Sequence, residues 1–336
     1  MATAAERYQT LTRARESVLN QAREASRLTI PGLIPQAGST NPHDVTEQPY
    51  SSLGARGVNN VAAKLLLSLF PPQRPFFRLD IDATTAEQMG GKLGEAEEAL
   101  AGVSHLAMAL VESSGSRPLW MEVFRHLVVA GNGLIYHPDD GTVMRFWRID
   151  QYVVRRDAQG RLLEAVIEEE VYPSELDPEV RSAVELEEDE TKEEGKPSDK
   201  DEEKVKLYTV VLREDDKIIH YQEINDIEVP DSRGEAQADV AGWQALRWQA
   251  VPGSDYGRSM VSEYAGDFLS MEDGWKAILE FAAEAARIIT IVDPNSGIDV
   301  EELADLVYRR LVQAAWLECE REGWRGADGS WQRWGD

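Results

Sequence analysis

Apolar residues recur at helical spacing in several stretches of the chain. Residues 4 to 28 predict a charged helix, residues 93 to 114 a second amphipathic helix, and residues 118 to 130 a third that ends at Gly131. The first helix has only a thin apolar stripe, formed by Tyr8, Leu11, Val18 and Ala22. Such narrow stripes are typical of helices that pack one face on a core and leave the other in solvent.

The segment from Gly54 to Asp80 combines a glycine-rich start with an apolar helix. Gly54 and Gly57 flank an arginine, and the helix that follows stops at the pair Pro71 and Pro72. Its predicted buried face consists of Val58, Ala62, Leu65, Leu66 and Leu69. The next residues, "FFRLDID", alternate in polarity and predict a strand.

Two further regions show the short alternating runs that predict antiparallel strands. The first extends from Gly133 to Tyr172, with turns at Asp140-Gly141 and Gln159-Gly160. The second contains "VKLYTVVLRED" and "KIIHYQEINDIEV", which predict a hairpin around Glu214 to Asp216. Helices followed by runs of strands predict an α+β fold.

An acidic block, residues 185 to 204, separates these strand regions. It reads "ELEEDETKEEGKPSDKDEEK" and has almost no apolar residue with which to form a core. We interpret it as a mobile, solvated loop in preference to a specific cation-binding segment.

The longest helical pattern runs from about Met260 to Ile289. Ser259 is its predicted N-cap and Glu263 lies in its first turn. About 30 residues correspond to roughly 45 Å of helix, longer than an ordinary globular helix, which suggests an element of a larger assembly. The apolar residues at helical spacing are Tyr264, Phe268, Met271, Trp275, Ile278, Leu279 and Ala282.

Charge and cysteine content narrow the functional classes. The chain has 61 acidic and 35 basic residues and a formal charge of −26, which disfavours tight nucleic-acid binding because phosphate contacts need Lys and Arg. The single cysteine, Cys319, excludes an internal disulfide framework and fits a reducing compartment. The start lacks the apolar run of a signal peptide, and no uninterrupted apolar run reaches 18 residues. These features predict a soluble, intracellular protein.

Candidate chemistry is sparse. The Gly54–Gly57 segment lacks the Lys and Ser/Thr of a phosphate-binding P-loop, so we interpret it as a helix start with close backbone packing. The histidines show no metal-ligand spacing, and no carboxylate pair stands out from the acidic background. No catalytic, cofactor-binding or metal-binding residue is therefore predicted. Aromatics beside arginines could stack on bases, although core packing is the favoured interpretation; they are Phe76, Phe77, Phe146 and Trp147.

Several stretches, taken in order, resemble the portal, or head-to-tail connector, of short-tailed bacteriophages. They are "LTIPGLIP" from Leu28, "GARGVNNVAAKLLLSLFPPQRPFFRL" from Gly54, "LVVAGNGLIY" from Leu127, "FWRIDQYVVRRDAQG" from Phe146, "DYGRSMVSEYAGDFLSMED" from Asp255 and "IVDPNSGI" from Ile291. No single stretch is diagnostic, but their joint order over most of residues 6 to 300 is specific.

The resemblance implies a phage portal fold with an α/β wing region and a long stem helix. Residues 1–184 would be wing helices and strands, 185–204 the acidic flexible loop, and 205–258 further wing strands. Residues 259–290 would be the stem-like helix and 291–300 the start of a clip-like strand, followed by a divergent tail at 301–336. Within the stem-like helix, Phe268, Met271 and Trp275 are the candidate oligomer-interface residues.

The resemblance also implies a structural function without catalysis or cofactor. Portal subunits form a homo-oligomeric ring, usually of twelve, at a capsid vertex of the virion, and assemble in the host cytoplasm. Double-stranded DNA passes through the channel during packaging and ejection. The implied protein partners are terminase, which carries the ATPase, and tail, adaptor and scaffolding proteins; no membrane is involved.

After about Ala304 the sequence departs from the family pattern. Four of the nine tryptophans and Cys319 fall in the final residues. We interpret this shift as a truncated or frame-shifted product, while the helical spacing of Leu306, Leu311, Ala315 and Cys319 favours a genuine terminal helix. Two alternatives to an assembling portal subunit therefore stay open. One is a portal fragment that does not assemble, and the other is an unrelated acidic α/β enzyme or adaptor.

Overall fold

The computed structural model describes residues 2–38, 48–72, 76–89, 93–138, 143–183 and 204–286, together with residues 305, 308 and 309. Its helices are α1 (Ala4–Leu28), α2 (Leu53–Leu69), α3 (Ala83–Met89), α4 (Leu93–Ser113), α5 (Arg117–Ala130), α6 (Pro178–Ala183), α7 (Met260–Glu263) and α8 (Ala265–Ala286). Its strands are β1 (Asn132–Tyr136), β2 (Arg145–Trp147), β3 (Tyr152–Arg156), β4 (Leu162–Val171), β5 (Val205–Glu214), β6 (Lys217–Ile224), β7 (Ile227–Glu228), β8 (Gly234–Gln237), β9 (Trp243–Arg247), β10 (Gln249–Ala250) and β11 (Gly257–Arg258). This composition confirms the predicted α+β class.

Helix α1 matches its predicted range because both ends carry strong local signals. Thr3 and Glu6 form a capping box, in which each side chain accepts a hydrogen bond from the other residue's backbone N–H. At the other end, the Thr29 N–H donates to the Ser26 carbonyl. Tyr8 and Ala22 of the predicted stripe are buried.

A six-stranded antiparallel sheet has the order β3-β4-β5-β6-β7, with β8 paired to β6. The predicted hairpin is confirmed: β5 and β6 pair from Leu207 with Ile224 to Glu214 with Lys217. Asp215 in the connecting turn has φ of 52°, a left-handed conformation that Asp tolerates better than most residues. The turn at Gln159-Gly160 is also confirmed, since the Asp157 N–H donates to the Arg161 carbonyl and Gly160 has φ of 84°.

A smaller antiparallel sheet has the order β2-β1-β9. The main core joins it to α1 and the larger sheet, with Leu19 and Ala22 of α1 among its members. Trp243 stacks on Tyr136 and on Trp147, with ring centroids 4.2 and 5.6 Å apart. Trp147 is buried and the Arg145 guanidinium lies over its ring at 4.8 Å, which confirms that this aromatic belongs to the core.

Helix α2 packs on α5 through the start of its predicted face. Val58 and Ala62 are buried and Leu65 and Leu66 are partly buried, as predicted, but Leu69 is exposed. The prediction for Leu69 was wrong: the last residue of the helix is exposed, and the residue after it, Phe70, packs on the rings of Trp120 and Phe124 of α5 instead.

The prediction of a strand at "FFRLDID", residues 76 to 82, was also wrong. The segment pairs with no strand in the part of the chain that the structure describes. Alternation predicts a strand only where a partner strand is available, because an isolated strand leaves its backbone groups unpaired. Here Phe76 instead contacts the rings of Phe70 and Phe77, and the Leu79 N–H donates to Ser104 Oγ on α4.

The single long helix from Met260 is a third correction, because the chain forms α7 and α8 with Tyr264 between them. The Tyr264 N–H donates to the carbonyl of Val261, three residues back, so the first turn is tighter than an α-helix. The hydroxyl of Ser262 also donates to the Ser259 carbonyl, a local bond that favours such a tight turn. The predicted N-cap is confirmed, since Ser259 Oγ accepts from the Ser262 N–H at 3.0 Å.

The chain divides into two compact units, Met1–Leu269 and Ser270–Asp336. Helix α8 begins in the first unit and ends in the second. The turn at Asp140-Gly141, nearly all of the acidic block 185–204, the segment 291–300 and most of the tail 301–336 lie outside the described residues. The proposed assignment of wing, stem and clip therefore stays a prediction.

Candidate functional site

The glycine-rich start of α2 is a packing element. Helix α2 already begins at Leu53, so Gly54 and Gly57 lie inside its first turns rather than in a loop. A Cβ added to Gly54 would lie 2.7 Å from the Leu28 carbonyl oxygen, whereas nothing lies within 4 Å of a Cβ on Gly57. The close-packing interpretation is confirmed at Gly54, where α2 meets the end of α1, and is wrong at Gly57, which faces open space.

Buried charged groups in the first unit have partners that hold elements together. Glu164 on β4 accepts from Arg7 on α1 at 2.7 Å and pairs with Arg155 on β3 at 3.0 Å. In the described part of the chain, no cluster of three or more His, Cys, Asp or Glu residues could hold a metal ion. None of the described helices is both long enough and apolar enough to cross a bilayer.

The segment Asp255–Ser259 anchors the base of α7. The Arg156 N–H donates to Asp255 Oδ1 at 2.7 Å, and the Val154 N–H donates to the Tyr256 hydroxyl at 3.1 Å. These side chains therefore cap the outer edge of β3, which would otherwise present unpaired N–H groups. Burial raises the pKa of Tyr256 to about 12, so the hydroxyl stays protonated at neutral pH.

A second anchor lies at the corner between α5 and β1. The Asn132 side-chain amide donates to the Gly257 carbonyl at 2.9 Å and accepts from the Gly257 N–H at 2.7 Å. Gly131 has φ of 73°, and a Cβ there would come within 2.6 Å of the Arg258 backbone. This corner requires glycine both for its conformation and for the close approach. The segment that leads into α7 and α8 is thus fixed on two sides.

The three predicted interface residues lie on α8 at positions three and four residues apart, which places them on one face of the helix. Phe268, which belongs to the first unit, packs beside a buried cluster that contains Val58, Val128 and Val261. Met271 is half-buried, and Trp275 is 43% exposed. Further along the helix Ile278 and Leu279 are 46% and 48% exposed. Helix α8 therefore presents large apolar side chains to solvent.

A second apolar surface lies on α4 and was missed from the sequence. Leu106 is 72% exposed and Leu110 65% exposed, and Val103 is exposed beside them. Only Ser104 of this 21-residue helix is buried. The signal was present in the sequence, because residues 99–111 are small or apolar on nearly every face apart from Ser104 and His105. A helix of that kind is ordinarily buried. We refer to Val103, Leu106 and Leu110 as the α4 surface.

The amino-acid sequence of the chain matches a known family. A sequence model described as "Bacteriophage head to tail connecting protein" matches residues 1–308, which is most of the chain. The chain belongs to this family of head-to-tail connecting proteins. The portal resemblance drawn from the sequence motifs is thereby confirmed.

Individual family members are similar over nearly the whole of this chain. It is 33% identical over 328 residues to the portal protein of Enterobacteria phage T3 and 32% identical over 329 residues to that of Escherichia phage T7, covering 94% of this chain in both. It is 31% identical over 298 residues to the portal protein of Pseudomonas phage phiKMV, covering 86% of this chain. The matches span 59%, 60% and 56% of those three proteins, so the chain spans somewhat over half the length of the relatives it matches.

Proposed function

We propose that this chain is a structural subunit of a phage portal, which connects head to tail at one vertex of the capsid. The observation that carries the proposal is the family match over residues 1–308. In this role about twelve copies form a ring around a channel that double-stranded DNA enters during packaging and leaves during ejection. The subunit has no catalytic task. It docks terminase, tail, adaptor and scaffolding proteins, assembles in the host cytoplasm and ends in the virion.

The exposed apolar side chains of α8 and the α4 surface support self-association. Burying one large apolar side chain contributes roughly 1.5–3 kcal/mol, so several such residues per subunit are a substantial driving force. A ring forms when each copy places one surface against a different surface of the next copy and the rotation closes. We propose that Phe268, Met271 and Trp275 contribute to this contact, with Phe268 also fixing the start of α8 on the wing.

The strong negative charge supports a channel through which DNA can slide. Twelve copies at −26 each carry a formal charge of about −312. A mainly anionic ring repels the DNA phosphates, whereas a basic lining would hold them through counterion release. DNA is therefore proposed to pass through the ring without tight binding.

We expect Trp275→Asp to shift the protein towards monomer and to improve its solubility, because the change places a charge in the proposed contact. Leu106→Glu on the α4 surface should act in the same direction. Val240→Asp is the matched control, since Val240 is exposed but lies on neither helix. Light scattering after size exclusion, at equal concentrations, measures the mass of each species.

The control is expected to keep the wild-type distribution of masses. A wild-type chain that stays a compact monomer at high concentration, with the same profile in all variants, would remove self-association from the proposal. If Val240→Asp shifted the mass distribution as much as Trp275→Asp, the effect would come from the added charge and not from a contact made by α8.

A further inference from the structure

A cleft of about 560 Å³ opens between the β3–β4 turn and the segment that joins β10 to β11. It lies within the unit Met1–Leu269, and none of its lining residues belongs to α4 or α8. Two arginines line it, Arg156 at the end of β3 and Arg247 at the end of β9. They come from different sheets, so the fold brings two positive charges together in a chain with a strong excess of acidic residues.

Arg156 is held in place by backbone carbonyl groups. Its Nε donates to Asp255 at 2.8 Å, its Nη1 to Gly160 at 3.0 Å and its Nη2 to Ala245 at 2.7 Å. Three elements therefore fix the orientation of this guanidinium group. Carbonyl oxygens orient a cation but do not neutralise its charge.

Arg247 is much less constrained. Its Nη1 donates to the Ser254 carbonyl at 3.3 Å, and its Nη2 lies against Gly160, where a Cβ would come within 2.8 Å. A guanidinium group has five N–H donors, so most donors of Arg247 have no partner among the described residues. Within the same residues, neither arginine has a carboxylate at ion-pair distance.

The positive charges of Arg156 and Arg247 repel one another in the cleft. The pKa of Arg156 lies below its ordinary value, chiefly because burial disfavours the charged form and secondly because Arg247 repels it. The two cations therefore oppose one another in a partly desolvated place. A negative group seated between them would relieve this repulsion.

Two carboxylates, Asp157 and Asp255, also line the cleft, and both accept hydrogen bonds from backbone N–H groups of its walls. Asp157 accepts from the backbone N–H and the side chain of Arg161 and from the Gln159 N–H, and these bonds keep its pKa below the usual value. Asp255 accepts from the Arg156 N–H. Both carboxylates keep their negative charge, and Asp255 offsets part of the repulsion that Arg156 experiences, but neither lies at ion-pair distance from Arg247.

We propose that this cleft binds an oxyanion, a carboxylate or a phosphate group, between Arg156 and Arg247. Planar guanidinium groups match the paired oxygens of such anions and form charge-assisted hydrogen bonds with them. Arg156 provides the pre-oriented positive charge. Arg247 provides the free donors, and Gly160 leaves the room in which its guanidinium lies.

The test uses the full chain with two probes, sodium phosphate and sodium glutarate, while sodium chloride keeps the ionic strength constant. Isothermal titration calorimetry measures binding, and thermal unfolding measures the accompanying stabilisation. The variants are Arg247→Gln, Arg247→Lys and the control Arg13→Gln, which removes the same charge from an exposed position on α1. Circular dichroism establishes that each variant is folded.

We expect saturable binding of at least one probe to the wild type. Arg247→Gln should weaken it by about tenfold or more, since charge-assisted hydrogen bonds are lost, and Arg247→Lys should weaken it less. Arg13→Gln should bind like the wild type. Binding of phosphate alone would identify a phosphate group as the ligand, and binding of glutarate alone a carboxylate.

Absence of saturable binding by both probes in the wild type would overturn the proposal. Equal weakening by Arg247→Gln and Arg13→Gln would also overturn it, because the effect would then come from net charge alone. Both results are independent of whether the chain assembles into a ring.

Discussion

Replacing Arg15 with methionine is expected to lower the free energy of unfolding by about 3 to 5 kcal/mol, because several buried acceptors lose one shared donor. Arg15 lies on α1 and is almost fully buried. Its Nη1 lies 2.8 to 3.2 Å from the carbonyl oxygens of Ile149, Asp150 and Tyr152 and 3.0 Å from the Tyr8 hydroxyl. The guanidinium therefore ties α1 to the start of β3.

Urea unfolding at neutral pH measures this effect. Arg13→Met is the matched control, because Arg13 lies on the exposed side of the same helix and the substitution is identical. We expect the control to change stability by less than about 0.5 kcal/mol, as is usual for surface positions. Arg15→Lys should fall between the wild type and Arg15→Met, since an ammonium group keeps the charge but not the planar fork. Equal stabilities of Arg15→Met and Arg13→Met would show that the buried bonds contribute nothing.

The second large effect is a loss of stability in acid caused by His126. This residue on α5 is buried, its Nδ1 has no hydrogen-bond partner, and its ring lies 5.0 Å from that of Phe146. Burial, followed by the positive charges of Arg148 and Arg125, lowers the pKa of His126 to about 3. The unfolded chain binds this proton near pH 6.5.

The pKa of His126 is lower in the folded than in the unfolded chain. The contribution of the neutral imidazole to the free energy of unfolding is therefore fully present above pH 6.5 and is lost as the pH falls towards 3. The loss attributable to His126 is about 2 kcal/mol at pH 5 and about 4 kcal/mol at pH 3, since each pH unit between the two pKa values costs about 1.4 kcal/mol.

Urea unfolding of the wild type and of His126→Leu between pH 8 and pH 4.5 tests this expectation. The difference in stability between the two should change by about 2 kcal/mol in favour of the variant between pH 7 and pH 5. His105→Gln is the control, because His105 is exposed on α4. The difference in unfolding free energy between wild type and variant at each pH cancels the contribution of the carboxylates, which titrate in both proteins. Parallel pH curves for wild type and His126→Leu would contradict the assignment.

Much of the fold could be predicted where the signals are local. The range of α1 followed from its periodicity, and α5 ended where Gly131 permits a left-handed turn. Prediction failed where the outcome depends on distant partners. The segment 76–82 has the alternation of a strand but pairs with no strand among the described residues. The break of the helix from Met260 at Tyr264 is a local exception, since the hydrogen bonds that accompany it join Ser259 and Ser262, only three residues apart.

The roles of the residues with the largest expected effects could not be predicted from the sequence. Arg15 lies in a charged helix and has the pattern of a surface residue, yet carbonyl groups more than 130 positions away bury it. Arg156 and Arg247 meet only because the two sheets pack together. The α4 surface could have been recognised, because a helix that is apolar on nearly every face predicts a covering partner. The α8 face was predicted, and its role at an interface stays a prediction.

The most direct test of the proposed portal function is the number of subunits in the purified wild-type assembly. Native mass spectrometry gives the mass, and electron microscopy of the same sample shows whether the particle is a closed ring. The proposal predicts a ring of about twelve copies with a central channel, since repeated contacts between two different surfaces close when the rotation permits. A uniform monomer at every concentration, above all one with hydrolase activity, would contradict it.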